Sequence, residues 1–148
     1  MKTILQNIQT KLSEVPELKY IDEDWGQLNP YQPPVKWPCC LIDINNVNYS
    51  NQGIDRTKEP NNRQIGKISA KITLATLKLT NTSMQSPQTQ KDQAWFIWDL
   101  VQKIHEKLHG FNPETNCSKM YRKNLLRIQR DDGVQQYEIS FDVEATNI

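Results

Sequence analysis

The chain has 148 residues, 36% hydrophobic and 24% charged, with a formal net charge of +1. That length suits one domain with a real core, and the near-neutral balance gives no global pull towards DNA or a lipid surface. Asn and Gln number 27 against five glycines, a polar chain whose long periodic apolar runs exclude collagen-like and membrane-spanning classes and argue against full disorder.

No window approaches the roughly 18 uncharged apolar residues of a membrane-spanning helix. The start, Met1 to Gln6, turns polar at once and lacks the apolar core of a signal peptide, so a soluble cytoplasmic protein is expected. Ile4, Leu5, Ile8 and Leu12 recur at helical spacing and predict an amphipathic helix over 2–13, ended by Pro16. Residues 22–38 hold Pro30, Pro33, Pro34 and Pro38 among Trp25, Tyr31 and Trp37. So many prolines forbid a central strand, and an extended connector with its aromatics packed on the body is expected. Cys39 to Ile44 then reads as the first core strand, its two cysteines on opposite faces. With Cys117 they are read as buried free thiols.

Residues 45–66 are amide-rich and carry Arg56, Lys58 and Arg63 without apolar periodicity. They read as a long polar loop or as a hairpin arm with polar strand ends. From Lys67 to Thr80 the pattern alternates, then slips by one residue at Leu74-Ala75. That slip suggests a bulge there, or a strand end buried on both faces. A second helix is expected over 92–109, with Trp98 on its apolar stripe, Trp95 nearer the polar side, and Gly110 as its left-handed cap. Residues 111–123 read as irregular. Strands at 124–130 and 134–145 flank Asp131-Asp132-Gly133, a hairpin signal. The order α-β-β-α-β-β predicts an α+β domain spanning 1–148, one antiparallel sheet with two helices on one face.

His105-Glu106-Lys107-Leu108-His109 matches H-E-x-x-H, in which two histidines one helical turn apart hold zinc and the glutamate serves as base. Lys107 puts a cation between the ligands, Asn112 and Thr115 stand where an extended zinc-protease pattern wants Gly and His, and Gly110 ends the helix at once. A zinc hydrolase is therefore the alternative, and no metal, cofactor or catalytic group is the leading expectation. The glycine-rich phosphate loops and the nucleophile elbow are absent. Lys119, Tyr121, Arg122, Lys123, Arg127 and Arg130 interleave bases with an aromatic, which raises a nucleic-acid adaptor as a further alternative. Arg127 and Arg130 diverge on a regular strand, so a solvated face or a protein interface is favoured. Glu14, Glu17, Asp22, Glu23 and Asp24 concentrate negative charge near the start, and positive charge follows much later.

The order of elements resembles a known group. A short helix from Ile4 to Leu12 leads through Pro33-Pro34 and Trp37-Pro38 into the strand around Cys40, Ile42 and Ile44. A strand from Ile68 to Leu79, a helix from Ala94 to His109 and a terminal strand Tyr137 to Val143 follow. This layout is similar to the small tail-terminator (tail-completion, head–tail joining) proteins of long-tailed bacteriophages and prophages. The resemblance implies an antiparallel sheet with helices on one side and a homo-oligomeric ring, commonly a hexamer. Such a ring caps the tail tube and meets tail-tube or neck proteins, first in the host cytoplasm and then in the virion tail. It implies neither a cofactor nor a reaction, nor a membrane or nucleic-acid partner. Candidate subunit or tail contacts are Arg56, Lys58, Arg63, Trp95, Arg122 and Lys123.

Overall fold

In a computed structural model, described over residues 1–146, the chain is an α+β domain built on one five-stranded sheet. Helix α1 covers Lys2–Leu12, followed by strands β1 (Tyr20–Glu23), β2 (Cys39–Ile54) and β3 (Asn62–Leu77). Helices α2 (Gln88–Ala94) and α3 (Phe96–Leu108) come next, then strands β4 (Tyr121–Ile128) and β5 (Val134–Thr146). The strand order is β1-β2-β3-β5-β4. No helix is long and apolar enough to cross a membrane.

The expected antiparallel sheet is mixed, because β1 pairs in parallel with β2 while every other pair is antiparallel. Parallel neighbours need a crossover of about a dozen residues or more. The proline-rich segment 24–38 is that crossover. It passes over the face of the sheet away from the helices, where Leu28, Cys39, Leu41, Ala75 and Val134 form a small buried cluster against Val35 and Trp37. Trp37 packs there, but Trp25 and Tyr31 are exposed, contrary to the expectation for all three aromatics. Buried Gln27 anchors the segment instead. Its carbonyl accepts the Trp25 amide at 2.9 Å and its amide donates to the Glu23 carbonyl at 2.9 Å.

The main core lies on the other face. Ile4, Ile8 and Leu12 of α1 and Ile97, Leu100 and Ile104 of α3 cover the apolar rows of β2, β3 and β5. Cys40 faces this core and Cys39 the small cluster, as alternation requires. All three cysteines are buried free thiols, and burial pushes the Cys39 thiol up to about 12. The phase slip at Leu74-Ala75 is not a bulge, since β3 and β5 stay in register from Ile65 to Leu77. Leu74 faces the helices and Ala75 the connector, so this stretch is buried on both sides. Leu77 and Leu79 lie beyond that cover and are exposed.

Residues 45–66 form the hairpin arm. β2 and β3 remain paired out to Ile54 and Asn62, with register shifts at Ile44/Asn46 and Asn51/Gly53. The expected second helix is two, because the chain breaks at Trp95, where φ −93° and ψ 5° leave the helical well. The first turn of α2, Gln88 to Lys91, is wholly polar and gave no apolar period to read. Gly110 takes φ +80° and Gly133 φ +78°, the left-handed conformations that the helix end and the hairpin turn demand.

In that turn the Arg130 guanidinium donates to Asp132 at 2.6 Å and holds its carboxyl at about 2 rather than the ordinary 3.8. A depressed carboxyl stabilises the fold fully above its unfolded value and loses that contribution as pH falls through its folded value. Asp132→Asn is therefore expected to shrink the loss of stability between pH 4 and 2 in acid-titrated denaturation curves.

Candidate assembly interface

β4 is an edge strand, paired with β5 on one side only. Seven of its eight residues are exposed, from Tyr121 to Arg127. Leu125 and Leu126 are neighbours, so alternation sends them to opposite faces. Neither is covered: Leu126 is 53% exposed and Leu125 37%. The strand begins three residues earlier than the sequence suggested, and a register shift between Arg122 and Asn124 sets Arg122 and Lys123 at its kink.

Helix α3 overhangs this edge. Trp98 was expected in the core, yet it is 46% exposed and lies over Tyr137, with ring centroids 4.8 Å apart. Tyr137 is the cross-strand partner of Arg127. Trp95, at the helix break, is 45% exposed. On the helix side of the sheet, half-exposed Trp98 and the exposed Leu125, which pairs across to Ile139, give this edge the apolar composition that protein contacts favour, while Leu126 faces the other side.

The histidines of the H-E-x-x-H match bolt the other end of α3 to β4. His109 is the first residue past the helix, with extended backbone at ψ 122°. Its Nδ1 accepts the Arg122 backbone amide at 3.0 Å, and its ring meets Tyr121 edge-on at 5.6 Å. The two imidazoles lie 4.7 Å apart between centroids. Glu106 accepts a hydrogen bond from Gln102 at 3.2 Å, and among the described residues no group of three or more His, Cys, Asp and Glu could hold a metal. Gly110 and Phe111 bond to both sides of Met120, so the first part of the β4 edge is closed by this loop and the open stretch begins near Lys123.

Burial holds the His105 imidazolium below its ordinary 6.5, and the charges of Arg122 and His109 act in the same direction against a weaker pull from Glu106. A base depressed in this way stabilises the fold above its unfolded value and loses that contribution as pH falls through 6.5. Relative to the natural chain, His105→Gln should lose less thermal stability as pH falls below 6.5, read from midpoints measured across that range.

The remaining candidates lie elsewhere. Arg56 and Lys58 are in the turn at the arm tip, and Arg63 stands at the start of β3. The tip is ordered by its own bonds: Asp55 accepts the Thr57 amide at 3.0 Å and hydroxyl at 2.6 Å, and Arg63 donates to the Glu59 and Pro60 carbonyls. Beyond Ile65, the last described residue of β3 paired with β5, the ribbon extends roughly 15 Å. Ile54 is exposed along it, and Tyr49 is exposed at its base. The six candidates thus divide between the arm and the α3–β4 flank. Leu125, Leu126 and Trp98 were not among them, although two adjacent leucines in a strand cannot both enter one core face.

The free face of the sheet is polar and internally paired. Lys71 stands between Glu138 at 3.5 Å and Asp43 at 3.9 Å, and Lys123 lies 3.6 Å from Asp142. A shallow concavity of about 610 Å³ on this face is lined by Asn46, Lys67, Ser69, Tyr121 and Glu144 among others. The chain matches no protein-family model, and no curated protein matches it.

Proposed function

We propose that this chain is a structural assembly protein of the tail-terminator type, forming a homo-oligomeric ring that caps a phage tail tube and joins it to the head. The observation that carries the reading is the α3–β4 flank. An unpaired edge strand that exposes Leu125 on one face and Leu126 on the other, beside the half-exposed Trp98 stacked on Tyr137, is an unfinished surface. Native proteins blunt such edges unless a partner completes them. A closed ring needs two unlike surfaces per subunit, and the projecting arm adds a further, chemically different surface for a tail-tube or neck protein. The work is mechanical and asks for no cofactor.

The test is mass in solution by sedimentation, together with negative-stain imaging of the chain mixed with tail tubes. Rings, or density capping tube ends, are the expected result. A chain that stays monomeric and never associates with tubes would sink the reading.

A further inference from the structure

The two edges of the sheet carry opposite charge. Asp22, Glu23 and Asp24 lie at the β1 edge, and Arg122, Lys123 and Arg127 at the β4 edge. Among the described residues only Lys123 of these six has an ion-pair partner, the exposed Asp142. Acids elsewhere in the early stretch are already engaged: Glu17 pairs with Lys103, and Glu14 with Lys11 at 3.0 Å. Two unneutralised strips of opposite sign therefore face outwards from opposite sides of one sheet.

The register sets these strips at the same height. Leu125 pairs with Ile139, Ile139 with Ile72, Ile72 with Ile42, and Ile42 with Glu23. By the same route Leu126 is level with Asp22. The acids thus fall between Arg122-Lys123 above and Arg127 below. Strand direction agrees as well, since β4 runs antiparallel to β1. Copies set side by side in one orientation bring β4 of one against β1 of the next as antiparallel neighbours.

Resting on the ring reading, we infer that copies of this chain join head to tail, the basic β4 edge of one subunit seated against the acidic β1 flank of the next. A two-fold antiparallel pairing of β4 with itself would set Arg122 and Lys123 of one copy against Arg127 of the other, and like-charge juxtaposition of this kind is penalised. The β1 side is built to receive side chains and not a continued ladder. Gln9 donates to the Ile21 carbonyl at 3.0 Å, Gln27 donates to the Glu23 carbonyl, and the Asp22 carboxylate accepts the Glu23 amide at 2.8 Å. The Asp22 carboxylate also accepts from Tyr20, Trp25 and Gln27, so with its backbone plugged β1 offers chiefly the Glu23 and Asp24 carboxylates to the arginines and to the open amides of β4. The contact is heterologous, as cyclic closure requires.

Charge reversal with rescue tests this. Arg122→Glu with Arg127→Glu makes one variant, and Glu23→Lys with Asp24→Asn the other; the new amide keeps the acceptor that Asp24 offers to the Gly26 amide. Each alone should associate at least about tenfold more weakly than the natural chain in sedimentation velocity, with an unchanged thermal midpoint. An equimolar mixture, in which subunits can alternate so that no junction sets like-charged edges together, should reassemble. Variants that assemble like the natural chain overturn this interface and leave the ring reading intact, as does a mixture that fails to reassemble. A natural chain that is monomeric at every concentration also overturns it, while its capture on tail tubes would still support the assembly reading.

Discussion

Replacing Phe141 by alanine will destabilise the protein by about 3–5 kcal/mol, as measured by urea denaturation. Phe141 is fully buried in β5, paired across to Ala70 on β3 and Arg122 on β4, and belongs to the core cluster shared with α1 and α3. Ala70 opposite is small, so no neighbour on that strand can swing in to refill the space. Domains of this size are stable by only about 5–15 kcal/mol, and the loss would populate unfolded chain at growth temperature. Phe141→Leu, which keeps most of the volume, should cost much less. If the alanine variant unfolds with the natural midpoint, the packing described for this face is wrong.

Excising the arm should have the opposite signature. Joining Ser50 to Ile65 through a two-residue Asn-Gly turn removes a ribbon that buries almost nothing: β2 from Asn48 to Ile54 is exposed throughout. The thermal midpoint should stay within a few degrees. If the assembly reading holds, association with tail tubes or neck proteins should nevertheless be lost, because the arm is the surface that reaches furthest from the body. A shortened chain that binds tubes as the natural one does would remove the arm from the function. The pair of experiments separates stability from assembly in one molecule, which the fold permits because its core and its projecting surfaces share few residues.

Much of the architecture was readable along the chain, for local reasons. The alternation of Tyr137, Ile139, Phe141 and Val143 with charged and polar residues defined β5, and Ile4, Ile8 and Leu12 defined the buried stripe of α1. Gly110 and Gly133 marked their turns because few other residues accept positive φ. Strand β1 escaped notice because it is four residues long and half acidic, so nothing in its own pattern distinguishes it from a loop. The arm, read as a loop or a polar hairpin, is held by backbone pairing alone, which leaves no apolar period behind. Trp98 illustrates the limit for the site. Sequence spacing puts it on the apolar stripe, but it lies about 100° round the helix from buried Ile97, and at the sheet edge that side is left half in water.

By itself the sequence determined that this is one α+β domain, with most of its helices and strands and the segregation of acidic from basic residues along the chain. Those features follow from local periodicity, turn chemistry and composition. Only the tertiary structure decided that the acidic and basic stretches lie on opposite edges of one sheet at matching height. It also decided that the proline-rich segment is a crossover placing β1 parallel to β2, and that β4 stays open as an edge strand. Edge identity and register depend on which strands pair across long separations, and that is fixed by the joint burial of the helices and the sheet. No single segment carries that information.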